Sequence, residues 1–397
     1  MKQSQAAQAF DQWIRGEFVE LNSALEALYW EQEDRSAVEG VGDDLKARLR
    51  DNGHVHIVAL WREGNTGDGF ESAFGVLGNV GLYMAALRRH ELTNPAREER
   101  SPFREASSLA LDVGASIGMA PRFATAHLAT HNQALHGVRK SFTDLADEFL
   151  FIDENARAIL CFQRVADALA RIVPLGVTNP VTDTLFAAAG QALREVIEIN
   201  RRLFDRLDVE RFFYSVRPYY KTHRVGRTEF RGANAGDFSG INEVDLLLGL
   251  TRGSNPYYAQ LLVDKMLFML PGDQARLREA MRQTSLLDEL LALLPDHAHA
   301  PWFQVSARAY LELADLYAES ARQHHDMLVE RFIVEPAAAD GATEREGLTA
   351  SGPPLPVLIR SLEILRDFRM AAPRNDIDTR AEDLAQLRAA VRQPRHI

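Results

Sequence analysis

At 397 residues, with 46% apolar and 25% charged side chains, the chain can support one large core with an accessory segment, or two domains. Its net charge of -11 works against wrapping a polyphosphate, because nucleic-acid binding needs a clustered basic face, and Arg88-Arg89 and Arg201-Arg202 are only isolated pairs. The single cysteine, Cys161, excludes an internal disulfide framework and a Cys-rich metal cluster, so any metal must be held by His or carboxylates.

The first residues are polar and Gln-rich, without the apolar core of a signal peptide, and no apolar run reaches the roughly 18 residues of a membrane span. A cytoplasmic protein is expected, with no membrane and no nucleic-acid partner. Helical spacing of apolar residues then recurs along the chain, at residues 21–29, 73–90, 107–117, 121–131, 155–173, 182–213, 241–250, 257–269, 274–294, 302–334 and 357–370. Residues 54–61 (HVHIVALW) form the one β-branched run with strand character. Gly, Pro and Asn punctuate 64–69, 174–180 and 218–240, and 336–356 reads as a long loop of the lid or disordered kind. The fold class is therefore all-α. A smaller N-terminal part, residues 1–95, is expected to pass into a helical domain, 96–397, across a weakly marked boundary between Arg88 and Phe103.

Four places offer chemistry. On the helix predicted over 302–334, an apolar face runs through Tyr310, Leu313, Tyr317, Ala321, Leu328 and Phe332, and both His324 and His325 flank it. One imidazole at the border of an apolar helix face suits an axial haem ligand, whereas a half-buried histidine bonded to Asp326 or Glu330 is the structural alternative. Residues 211–231 mix aromatic and basic side chains. There the helix should end at Arg217 before Pro218, leaving a guanidinium to bind a carboxylate through two hydrogen bonds or to pair with an acidic neighbour. Small residues at 232–236 (GANAG) allow close approach of a ligand but lack a phosphate-cradling pattern. His127 and His131, spaced as on a helix, and His54 and His56 read as pocket or surface histidines rather than metal ligands, since no HExxH is present.

Taken together, these segments resemble the indoleamine 2,3-dioxygenase and tryptophan dioxygenase superfamily, over about residues 75–370. Phe212-Phe213 with Arg217, the loop 230–236 (FRGANAG), His325 in HDMLVERFIVEP and 349–353 (TASGP) follow in that family's order. The His-x-x-Leu-x-Glu-Arg pattern starting at His325, with GLYMAALRRH at 81–90 and APRFATAHLATHN at 120–132, resembles the monodechloroaminopyrrolnitrin synthase branch. This resemblance implies a multi-helix haem-binding bundle with His325 on the iron and O2 bound on the opposite face. It also implies a non-covalent haem b, since Val329 stands where some members carry an attaching Cys. An aromatic amino acid, L-tryptophan or a related indole, would place its carboxylate on Arg217, among Phe213, Ile159, Thr125, Ala235 and Ser351. Arg231, with Gly232, Asn234 and Phe332, would contact the haem, and Arg231 is the alternative carboxylate clamp. The distal helix departs from the family by carrying Ile159 and Gln163, leaving Gln163 and His127 as the catalytic candidates. The expected activity is an aromatic amino acid oxygenase, acting by dioxygenation or in specialised biosynthesis. Hydroxylation of tyrosine or another phenol, or gas binding without turnover, are the other readings. The sequence leaves the oligomeric state open, a homodimer included.

Overall fold

The computed structural model describes residues 4–64, 69–339 and 355–391. Its helices follow from amphipathic spacing and local caps. Ser4 accepts the Ala7 N–H and starts α1 (Gln5–Arg15), a helix that the Gln-rich composition had concealed and that buries Phe10, Trp13 and Ile14. After α2 (Glu17–Trp30) comes α3 (Asp43–Glu63), which absorbs the expected strand 54–61. Leu49, Gly53, Ile57 and Leu60 fall on one buried face while Val55 and Trp61 stay exposed, so the longer helical period outweighs the local β-branching. Gly53 is required there, because a Cβ would lie 2.2 Å from the ring of Tyr83 on α4 (Phe70–Arg89). By length and composition α4 could cross a membrane, but 83% of its apolar window is buried inside the protein, which makes it a core helix.

The next helix, α5 (Arg104–Ile117), ends at Gly118 in the left-handed conformation that Gly adopts without strain. The helix expected over 121–131 is instead a single tight turn, Thr125–His127, because the His127 ring accepts the Ala124 N–H and folds the backbone back on itself. Then follow α6 (Ala146–Leu175) and α7 (Val181–Arg206). The helix expected to run on to Phe213 breaks at Leu207, where Asp208 caps a new turn, α8 (Val209–Arg211). The backbone widens into a π-wound turn over Phe212–Val216, tightens over Arg217–Tyr220, and passes into a hairpin, β1 (His223–Val225) with β2 (Thr228–Phe230), paired antiparallel with His223 opposite Phe230.

The C-terminal half comprises α9 (Ser239–Leu248), α10 (Pro256–Met266), α11 (Pro271–Ala280), α12 (Leu286–His297), α13 (Pro301–Gln323), the short α14 (Glu335–Ala339), α15 (Leu355–Arg369) and α16 (Ala381–Ala390). The single helix expected over 274–294 is split, because Ser285 accepts the Asp288 N–H and starts α12 afresh. α13 runs into a π-wound stretch, His324–Val334, and π-winding is frequent at functional sites.

Among the described residues the chain is thus all-α apart from one hairpin. Its apolar packing does not divide near residue 95. One core joins the N-terminal helices to Phe123, Phe142, Ile159, Tyr219, Phe238 and Phe332, while a second gathers Val165, Leu169, Leu247, Tyr310, Tyr317 and Leu387. α6 belongs to both, with Ile159 in the first and Val165 in the second, so Gln163 sits at the seam.

Candidate active site

His325 lies on the π-wound continuation of α13, a stretch that packs against α7, α15 and the turn Phe212–Val216. Its ring is buried, at 5% exposure. Asp326, the partner offered by the sequence, does face it, with Oδ1 3.4 Å from Nδ1, and Nη1 of Arg366 on α15 lies 3.3 Å from the same nitrogen. The other nitrogen, Nε2, is buried and has no hydrogen-bond partner among the described residues. An orphaned buried nitrogen is costly unless something else binds it. Coordination to iron would satisfy it, so the residue present fits a haem ligand. His324, next to it, is solvent-accessible, yet it sits deep enough in the protein that burial lowers its pKa to about 4.

Arg217 sits at the start of the tight turn that follows the π-wound segment, as Pro218 requires. It is 7% exposed, and its guanidinium has no hydrogen bond or ion pair to any described residue. The Phe213 ring lies 5.3 Å from the guanidinium carbon. Burial alone lowers the pKa of Arg217 to about 10, so it keeps its charge at neutral pH without a counter-ion among the described residues. Phe213, 3% exposed, packs against Ile333 on the stretch that bears His325 and against Ile359 on α15. The clamp candidate Arg217 and the metal-ligand candidate are therefore linked through one aromatic ring.

α6 contributes Ile159, buried, and Gln163, half-buried, one turn apart on the helix. The first turn of α9 presses on it so closely that a Cβ on Gly240 would lie 2.9 Å from the backbone nitrogen of Gln163. Thr125 donates from Oγ1 to the carbonyl of Asn234 at 2.9 Å, tying its turn to the small-residue loop. In that loop Gly232 is buried and Ala235 exposed, while Asn234 accepts the Gly236 N–H to cap a short turn.

Other expectations are corrected. Arg231 is not free for haem or substrate: both terminal nitrogens bond Asp237, at 2.9 and 2.7 Å, and the guanidinium lies 4.0 Å from the Phe268 ring. Phe332 packs edge-on between Phe204 and Phe212 as a core side chain. His127 is unsuited to proton transfer, since Nε2 donates to the Phe74 carbonyl at 2.9 Å, Nδ1 accepts from the Ala124 N–H at 2.9 Å, and burial lowers its pKa to about 3. Its ring is stacked 3.8 Å from that of Phe74. His54 and His56 lie on α3, where His56 stacks against Phe10, and no metal-holding group of His, Cys, Asp or Glu occurs among the described residues. Ser351 and the 349–353 segment lie outside the described residues.

Two residues that sequence reasoning passed over stand near these groups. Lys221 is half-buried near Arg88, Arg89 and Arg217, and desolvation together with those cations lowers its pKa to about 7. Its membership of the basic and aromatic segment 211–231 was the available signal. Arg366 gave none, because only the packing of α15 brings it to His325.

The family model for monodechloroaminopyrrolnitrin synthase matches residues 4–391. The chain belongs to the monodechloroaminopyrrolnitrin synthase family. No curated protein matches it. The family is one of haem-dependent oxidoreductases that modify tryptophan. The match to the monodechloroaminopyrrolnitrin synthase model takes in α1 to α3, which the resemblance over residues 75–370 had left uncovered.

Proposed function

We propose that this protein is a cytoplasmic haem-dependent oxygenase of L-tryptophan or a related indole amino acid, working in specialised biosynthesis. The observation that carries the reading is Arg217, a buried guanidinium with no counter-ion among the described residues, beside a ring packed on the segment that bears His325. A charge held this way favours an incoming anion of matching geometry, and a carboxylate fits the planar fork of Arg.

His325 would hold the haem through Nε2, with the cofactor non-covalent because Val329 offers no thiol for attachment. When bound, haem supplies the activation of O2 that the side chains themselves lack. The protein's share is positioning. Arg217 fixes the carboxylate, Phe213 and Ile159 give the indole apolar walls, and the buried surroundings exclude water from the reacting ring. Gln163 can donate or accept a hydrogen bond but cannot carry a proton near neutral pH, so its part is orientation. With His127 engaged on both nitrogens, neither distal candidate serves as acid or base.

The test is a titration of the haem-loaded protein with L-tryptophan, tryptamine and L-tyrosine, followed by the haem absorption band. Tryptophan should shift the band at lower concentration than tryptamine, which lacks the carboxylate. Equal affinity for the two, or tighter binding of tyrosine than of tryptophan, contradicts the proposal.

A further inference from the structure

Nδ1 of His325 has two suitors of opposite chemistry. Asp326 Oδ1, 3.4 Å away, can only accept a hydrogen bond; Arg366 Nη1, 3.3 Å away, can only donate one. A neutral imidazole carries one proton, so the ring satisfies one of them at a time. With the proton on Nδ1 it donates to Asp326 and leaves Nε2 a bare lone pair. With the proton on Nε2 it accepts from Arg366 but buries an N–H that has no acceptor. In the metal-free protein each tautomer therefore leaves one group dissatisfied.

We propose that Asp326 and Arg366 compete for Nδ1 of His325, and that iron binding at Nε2 decides the competition for Asp326 and releases Arg366. This rests on the reading that His325 is the haem ligand. A metal on Nε2 requires its lone pair and so fixes the proton on Nδ1, the arrangement in which a carboxylate partner raises the ligand's basicity. Arg366 does not become an orphan when released, because its Nε already bonds Asp367 Oδ1 at 2.9 Å. Asp326 is half-exposed and within 3.7 Å of Arg322, so it keeps a charge partner in both states. The helix carrying Arg366 is anchored one turn further on, where Arg369 bonds the buried Asp245 at 3.0 Å. Through Arg366 that helix reads whether the proximal nitrogen is occupied. With haem in place the two residues act on the iron in opposite senses, the carboxylate strengthening electron donation from the imidazole and the guanidinium weakening it. Both are positioning residues, since neither touches substrate or iron.

The test uses Asp326→Asn and Arg366→Met in the haem-loaded full chain, with the midpoint potential and the rate of haem transfer to apomyoglobin as readouts. Asp326→Asn should raise the potential and speed haem loss by roughly 10- to 100-fold. Arg366→Met should lower the potential and not speed haem loss, and the double variant should lie between. In the haem-free protein, nitrogen NMR of His325 should show the Nε2–H tautomer losing population in Arg366→Met. Shifts of the same sign in the two variants, or no shift in either, overturn the proposal while leaving His325 as ligand. A His325→Ala protein that retains haem with an unchanged spectrum overturns the reading beneath it as well.

Discussion

Replacing Arg217 by Met, which keeps much of the stem's volume and removes the charge, should act in opposite directions on stability and on binding. Burial lowers the guanidinium pKa from its ordinary value to about 10, and at about 1.4 kcal/mol per unit this is a desolvation penalty of about 3 kcal/mol carried by the ligand-free protein. A neutral side chain of similar length relieves it, less whatever packing is lost. The substrate-free variant should therefore unfold at higher urea concentration than the wild type. A charge-assisted bond to a carboxylate contributes about 1.5 to 3 kcal/mol, so tryptophan affinity should fall by roughly 10- to 150-fold. Tryptamine has no carboxylate to lose, and its affinity should stay the same. Both ligands are titrated into wild-type and variant holoprotein, with haem content checked at each step. The reasoning is refuted if the variant keeps the wild-type preference for tryptophan over tryptamine, or if it unfolds more easily than the wild type. Loss of haem together with tryptophan binding would move Arg217 from the substrate to the cofactor.

Two further outcomes concern the scaffold. His90, His127 and His223 are buried with pKa values depressed below the free value of about 6.5, in each case first by burial and then by nearby cations. The folded chain thus refuses protons that the unfolded chain accepts. Their contribution is present above pH about 6.5 and is lost as pH falls, by up to about 1.4 kcal/mol per pH unit for each histidine. Glu148, whose pKa burial raises to about 7, works the other way in this window and offsets about one histidine, so urea unfolding between pH 7 and 5 should show a net loss, and a flat profile contradicts it. Asp245→Asn would leave Arg369 buried without its carboxylate and take away one of the two oxygens that accept from the Tyr258 and Tyr317 hydroxyls. The expected cost is about 3 to 5 kcal/mol in urea unfolding, and a cost below about 1 kcal/mol would mean that water reaches the pair.

The helical class was legible because the apolar period persists over long windows, and Arg217 was legible because Pro218 fixes where its helix must end. What misled were signals shorter than the contacts that override them. The β-branched run at 54–61 lies on a helix whose buried face is set by Leu49, Ile57 and Leu60. The pair His127 and His131 has helical spacing, yet the His127 ring bonds its own backbone three residues back and folds the segment into a turn. Arg231 was a sound clamp by composition; only the loop's geometry delivers Asp237 to it. Local pattern could not separate His324 from His325 either. The choice came from the family resemblance, and a buried Nε2 without a partner among the described residues is compatible with it.

The most direct measurement is the haem absorption spectrum and haem content of His325→Ala beside His324→Ala, each reconstituted with haem in the same way as the wild type. The account predicts that the His325 variant fails to retain haem or shows an iron without its imidazole, while the His324 variant matches the wild type. Normal content and spectrum in the His325 variant, with loss in the His324 variant or in neither, would contradict it.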